Sequence, residues 1–174
     1  MTIRAKKPVE VVLVGAGRRA YFHIGKFALE HPDDLRFIAV AEPNEDRRER
    51  FARTHGIPQE LRFRSWEDLA QREPVVPVLI NATNDATHYA STMAAIEQGY
   101  RVLLEKPVAT TAAECANLAR TADRTGADVW VFHELRNTPF FSRLHEIVRS
   151  GRLGDVISVE HRENLAFWHM AHSY

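Results

Sequence analysis

Residues 9–20 read VEVVLVGAGRRA. The first half, residues 9–14, is a nearly unbroken run of β-branched and other apolar side chains, the composition of a strand buried on both faces of a sheet. The run stops at Gly15-Ala16-Gly17-Arg18-Arg19-Ala20, and a helical pattern follows through about Glu30. Strand, glycine turn and helix in this order match the pattern G-x-G-x-x-G/A. The first glycine permits a tight turn, the second lets the backbone approach a pyrophosphate, and the third small residue lets helix pack on strand. Free N–H groups at the helix start then face the phosphates. Without a nucleotide the same stretch is only a tight β–α turn, so the motif needs support from elsewhere in the chain.

That support comes from the next strand. Residues 37–41 (FIAVA) are again continuously apolar, and they end at Glu42, 22 residues after Ala20. A carboxylate at this place accepts hydrogen bonds from an adenosine ribose and favours NAD. Arg18 and Arg19 in the turn, and Arg47 and Arg48 after Glu42, are able to meet the 2′-phosphate of NADP. The plainer reading of Arg47 and Arg48 is a solvated helix face. The expected cofactor is therefore NAD or NADP, with NAD slightly favoured.

Outward from this core, strands and helices alternate. A charged helix covers residues 45–54, and Arg62-Phe63 forms a short strand. Ser65 opens a helix with Glu67 and Asp68 in its first turn. Residues 75–81 (VVPVLIN) read as a strand, with Pro77 either counting against a central strand or confining it to one end. Residues 85–98 are helical and stop at Gly99. A strand at 101–104, an Ala-rich helix at 111–124 stopping at Gly126, and a strand at 129–132 (VWVF) follow. A helix at 139–150 is closed by Gly151, and residues 156–161 read as an alternating strand that opens something new. The fold class is α/β, a Rossmann-type doubly wound parallel sheet with right-handed crossovers.

Composition narrows the partners. The 174 residues carry 23 Lys plus Arg against 23 Asp plus Glu, a formal net charge of zero, with 45% apolar and 26% charged residues. The neutral balance argues against a nucleic-acid partner, whose binding rests on neutralised phosphates. No apolar run approaches the roughly 18–20 residues of a membrane span, so no membrane partner is expected and a cytoplasmic location is. The lone Cys115 excludes an internal disulfide and a cysteine-based zinc site.

The strand at 101–104 runs into Glu105-Lys106-Pro107. Pro107 biases Lys106 away from the α region and holds it extended at the carboxyl edge of the sheet, where ligands bind in this architecture. An ammonium there is placed to hydrogen-bond a hydroxyl and to stabilise alkoxide character as hydride leaves. Taken alone, the same residue is a surface lysine in a loop.

The order of glycine turn, Glu42, Asn81-Ala82-Thr83-Asn84-Asp85-Ala86-Thr87-His88 and GYRVLLEKP resembles the Gfo/Idh/MocA family of NAD(P)-dependent oxidoreductases. Arg136 with Pro139, and Ser150-Gly151-Arg152-Leu153-Gly154-Asp155-Val156, resemble later segments of that family. The resemblance implies residue roles. Gly15, Gly17 and Ala20 would carry the pyrophosphate turn, with Arg19 matching a frequent arginine of that turn and Ala20 standing where glycine is commoner, and Glu42 would carry the ribose. Thr83, Asn84 and His88 would line the nicotinamide side. Glu105 and Lys106 would flank the nicotinamide ribose and the reacting carbon, with Lys106 the catalytic lysine. His133 and Glu134 stand where many members have Tyr-Asn; they either adjust the nicotinamide pocket or cap the sixth strand.

The resemblance also implies hydride transfer between a nicotinamide cofactor and a secondary alcohol of a sugar or polyol. It divides the chain into an NAD(P)-binding domain, residues 1–135, and the truncated start of an α+β substrate and oligomerisation domain, residues 136–174. Trp168 and His169 in the last segment would contact substrate; His169 and His172 without a third ligand make a poor zinc site, and no metal is expected. Family members continue well beyond this length and form homo-oligomers, so the chain is expected to be a truncated product that binds cofactor. The alternatives are a non-catalytic NAD(P)-binding module and an inactive fragment.

Overall fold

The structure, a computed structural model, describes residues 7–167. Strands β1 (Val9–Val14), β2 (Leu35–Ala41), β3 (Arg62–Phe63), β4 (Val78–Asn81), β5 (Arg101–Glu105) and β6 (Val129–Phe132) form one sheet in the order β3-β2-β1-β4-β5-β6. Every neighbouring pair is parallel. Parallel neighbours require long crossovers, here supplied by helices α1 (residues 18–30), α2 (Glu45–His55), α3 (Trp66–Ala70), α4 (Asp85–Glu97) and α5 (Ala112–Thr125). The chain starts in the centre at β1, moves out to β3, and returns to β4 on the other side of β1. The carboxyl ends of β1 and β4 therefore flank the point where the strand order reverses, the place where such sheets bind ligands.

The central strand shows why the sheet holds. Val12 and Val14 join Leu69, Ala95, Ile96 and Leu118, from α3, α4 and α5, in one buried cluster. Val11 and Leu13 join Ala28, Phe51 and Ala52, from α1 and α2, in another. Alternate side chains of one strand thus serve two cores on opposite faces, each fully buried large side chain contributing about 1.5–3 kcal/mol. Helix starts are fixed locally: Asn44, Ser65, Asn84 and Thr111 each accept a hydrogen bond from a first-turn backbone N–H, and Thr111 with Glu114 completes a capping box.

Four details depart from the expectations. Helix α1 is wound as a π-helix over Ala20–Gly25 before an α-helical Lys26–Glu30. Gly25 sits where a Cβ would come within 3.1 Å of Phe51 and of the Ala20 carbonyl, so α1 presses on α2 at a side-chain-free point. The fourth strand begins at Val78, after Pro77, whose carbonyl accepts from the Arg101 amide. Arg48 is not solvated: it is buried on α2, with Nη1 donating to the Glu42 carbonyl at 2.8 Å, while Arg47 is exposed. A face that packs under the end of β2 buries its arginine because the guanidinium satisfies an otherwise unpaired carbonyl. Finally, residues 156–161 form no strand. A strand exists only beside a hydrogen-bonded neighbour, and none lies alongside them among the described residues.

The described residues divide into two compact units, one ending at His133 and the next starting at Glu134. The second contains a 3₁₀ turn, Glu134–Asn137, and helix α6 (Pro139–Arg149) with Pro139 in its first turn. Trp168 and His169 lie outside the described residues. Among those described, no helix is long and apolar enough to cross a membrane.

Candidate functional site

Gly15 follows β1 with φ +87°, and its amide donates to the Ala41 carbonyl at 2.8 Å. A Cβ at this position would lie 2.7 Å from the backbone of Ala82 and Thr83. Glycine is required here twice over, by the left-handed backbone and by the close approach of the β4 exit. Gly17 differs: a Cβ there would meet nothing within 4 Å. No packing among the described residues explains its lack of a side chain. The open space beside the backbone fits a group that lies directly against the turn, as a pyrophosphate does.

Glu42 is 5% exposed, and each of its carboxylate oxygens takes part in ordering the turn. The Ala16 amide donates to Oε2 at 2.7 Å and the Asn44 amide to Oε1 at 3.0 Å. Charge-assisted bonds of this kind are short and strong. A carboxylate offers about four lone-pair positions, so capacity remains for ribose hydroxyls.

The exit of β4 is organised by Asn81, which is fully buried. Its Nδ2 donates to Ser91 Oγ at 2.8 Å and Thr92 Oγ1 at 2.9 Å on α4, and its Oδ1 accepts from Thr83 Oγ1 at 2.9 Å. Thr83 is half-buried at the sheet edge. Asn84 is exposed but its side chain is engaged as the cap of α4, accepting from the Thr87 amide at 3.1 Å and Thr87 Oγ1 at 2.9 Å. His88 is 1% exposed. Its Nδ1 lies 2.6 Å from the Pro107 carbonyl oxygen and its Nε2 3.1 Å from that of Thr83. Both ring nitrogens thus face backbone carbonyls inside the fold.

At the end of β5, Glu105 is buried and accepts a hydrogen bond from Arg19 Nε at 2.6 Å, while the Arg19 guanidinium lies over the Phe132 ring at 5.4 Å. Arg18 is exposed and its guanidinium lies 5.9 Å from the Phe22 ring centroid. Ala20 is buried against the sheet, the packing place expected of a small third residue. Lys106 is exposed at the carboxyl edge and is joined to Pro107 by a cis peptide bond.

The carboxyl ends of β1, β2, β4 and β5 therefore bring together Gly15, Gly17, Arg19, Glu42, Thr83, Glu105 and Lys106. Sequence reasoning placed these residues at one edge but missed the ties between them. Arg19 bridges the glycine turn to Glu105, Arg48 braces Glu42, and Asn81 anchors the β4 exit. The available signal for Asn81 was a lone amide ending an apolar strand, since a buried amide persists only where partners surround it.

A parallel sheet with this strand order, a glycine turn open at Gly17 and an acidic residue directly after β2 is a Rossmann-type dinucleotide-binding domain. The model of the Gfo/Idh/MocA proteins, an oxidoreductase family with an NAD-binding Rossmann fold, matches residues 9–133. The chain is 35% identical over 130 residues to a trans-1,2-dihydrobenzene-1,2-diol dehydrogenase of Oryctolagus cuniculus, which covers 74% of this chain and 39% of that protein. It is 34% identical over 84 residues to a Bacillus subtilis scyllo-inositol 2-dehydrogenase (NADP(+)), covering 48% of this chain and 24% of that one. Among solved structures, the WlbA dehydrogenase of Chromobactrium violaceum in complex with NADH and UDP-GlcNAcA superposes with a TM-score of 0.76 at 23% identity, over 87% of this chain and 42% of that chain. The chain belongs to the Gfo/Idh/MocA oxidoreductase family and has its nicotinamide-dinucleotide-binding fold. It spans less than half the length of these relatives.

Proposed function

We propose that this chain binds NAD(H) in preference to NADP(H) across the carboxyl edge of the sheet, as the cofactor-binding part of a dehydrogenase acting on a secondary alcohol of a sugar or polyol. The observation that carries the reading is the open backbone at Gly17 beside a buried carboxylate that organises the same turn. Gly15, Gly17, Arg18 and Arg19 hold the pyrophosphate on a turn whose helix Ala20 packs against the sheet, Glu42 the adenosine ribose, and Thr83, Asn84 and Glu105 the nicotinamide half. The bound nicotinamide supplies the hydride acceptor or donor. Lys106, exposed beside that place, donates a hydrogen bond to the alcohol oxygen and stabilises the negative charge that develops there. Substrate contacts at Trp168 and His169 belong to the same reading. The diol and inositol dehydrogenases to which the chain is similar support a polyol or sugar substrate.

The preference for NAD follows from charge. A 2′-phosphate would meet the Glu42 carboxylate, and Arg48 is committed to the Glu42 carbonyl, leaving only Arg47 of that pair exposed. Parallel calorimetric titrations with NADH and NADPH test this. NADH is expected to bind more tightly by roughly tenfold or more, a difference of about 1.4 kcal/mol, and Glu42→Gln to narrow the gap. Tighter binding of NADPH would overturn the preference.

A further inference from the structure

His88 is a buried imidazole with a backbone carbonyl facing each ring nitrogen. A ring with one proton donates to one of these oxygens; a ring with two donates to both. Either way the side chain spans two segments just beyond the last paired residues of β4 and β5, Asn81 and Leu104, where the ladder no longer holds them. One is the β4 exit at Thr83, whose backbone, with that of Ala82, presses against Gly15 of the glycine turn. The other is Pro107, the residue after Lys106. The opposite flank of Lys106 is held separately, by the Arg19 bond to Glu105. The ring is further fixed from its own helix, since the His88 amide donates to the Asn84 carbonyl at 3.2 Å and its carbonyl accepts from Ser91 Oγ at 3.4 Å.

We propose that His88 is a positioning residue that touches neither cofactor nor substrate and sets where Lys106 stands relative to the glycine turn. This rests on the proposed role of Lys106 at the reacting oxygen. An ammonium on a four-carbon stem is mobile, and transition-state stabilisation needs its donor within hydrogen-bond reach of the oxygen. The stem cannot supply that placement, so the backbone beneath it must. His88 fixes that backbone to the segment that also backs the pyrophosphate turn. One imidazole therefore ties the proposed site of proton and charge chemistry to the proposed site of phosphate binding.

The test uses the full chain without cofactor, so its outcome does not depend on whether NADH binds. The lysines are Lys6, Lys7, Lys26 and Lys106; after reductive ¹³C-methylation, the Lys106 signal is the one lost in Lys106→Arg. His88→Phe keeps a buried ring and removes both nitrogen contacts, whereas His88→Gln keeps an N–H donor. The Lys106 signal is expected to move in His88→Phe, with the Lys26 signal unchanged, and to return toward its original place in His88→Gln. The unmodified protein is expected to show a slowly exchanging ring N–H that both substitutions abolish. A Lys106 signal that coincides in wild type and His88→Phe, or the absence of a protected His88 ring N–H, would overturn the proposal. Should His88→Phe not fold, the ring N–H and the His88→Gln signal decide. A chain that binds no NADH while the Lys106 signal moves as described would sink the proposed function and leave the placement standing.

Discussion

The two glycines of the turn separate folding from binding at the scale of single residues. Gly15 has a left-handed backbone and a Cβ position 2.7 Å from the Ala82 and Thr83 backbone. Gly15→Ala is expected to destabilise the protein by about 1–3 kcal/mol from backbone conformation alone, before the clash with main-chain atoms is counted. At Gly17 a Cβ meets only open space. Gly17→Ala is expected to leave the urea unfolding midpoint nearly unchanged while weakening NADH binding, because the methyl group occupies the space proposed for the pyrophosphate. A Gly17→Ala protein with reduced stability and intact NADH affinity would contradict this division.

At the scale of elements, helix α2 packs on β2 through a set of rings. His55 lies 4.3 Å, centroid to centroid, from Phe51 and 5.0 Å from Phe37. Burial disfavours the charged imidazole and lowers the His55 pKa from its ordinary 6.5. In acid the unfolded chain therefore takes up this proton before the folded one does. The associated stability is present above pH 6.5 and is lost as pH falls from there through the lowered folded value. The urea midpoint is expected to drop between about pH 7.5 and about pH 5.5, with a smaller drop in His55→Leu; equal slopes in the two proteins would remove His55 as a source of the dependence. Periodicity made the elements themselves legible, since a helix or strand that faces a core must repeat its apolar residues along the chain. The caps Asn44, Ser65, Asn84 and Thr111 each act on an amide three residues away, and Ser65 was read directly from the sequence. What was not legible depends on distant segments: the π-helical winding opposite α2, the burial of Arg48 under the β2 end, and the lack of a partner for residues 156–161.

Across the whole molecule, the sequence located the candidate site but not its internal wiring. A doubly wound sheet forces the ends of β1, β2, β4 and β5 to one edge, so motifs at strand ends predict neighbours. The bonds from Arg19 to Glu105 and from His88 to Pro107 join residues 86 and 19 positions apart, and no local pattern announces either. Buried polar groups are placed by their partners, and those partners are known only once the sheet order is. The central claim is that a nicotinamide dinucleotide lies across this edge, over the open backbone of Gly17. Mapping ¹⁵N amide shifts of the intact chain during an NADH titration tests it most directly. Saturable shifts are expected at residues 15–19, at Glu42 and Thr83, and at Glu105 and Lys106, with the buried amides of Phe51 and Leu118 unmoved. A folded chain whose amide spectrum does not change with NADH, or changes only away from that edge, would contradict the account.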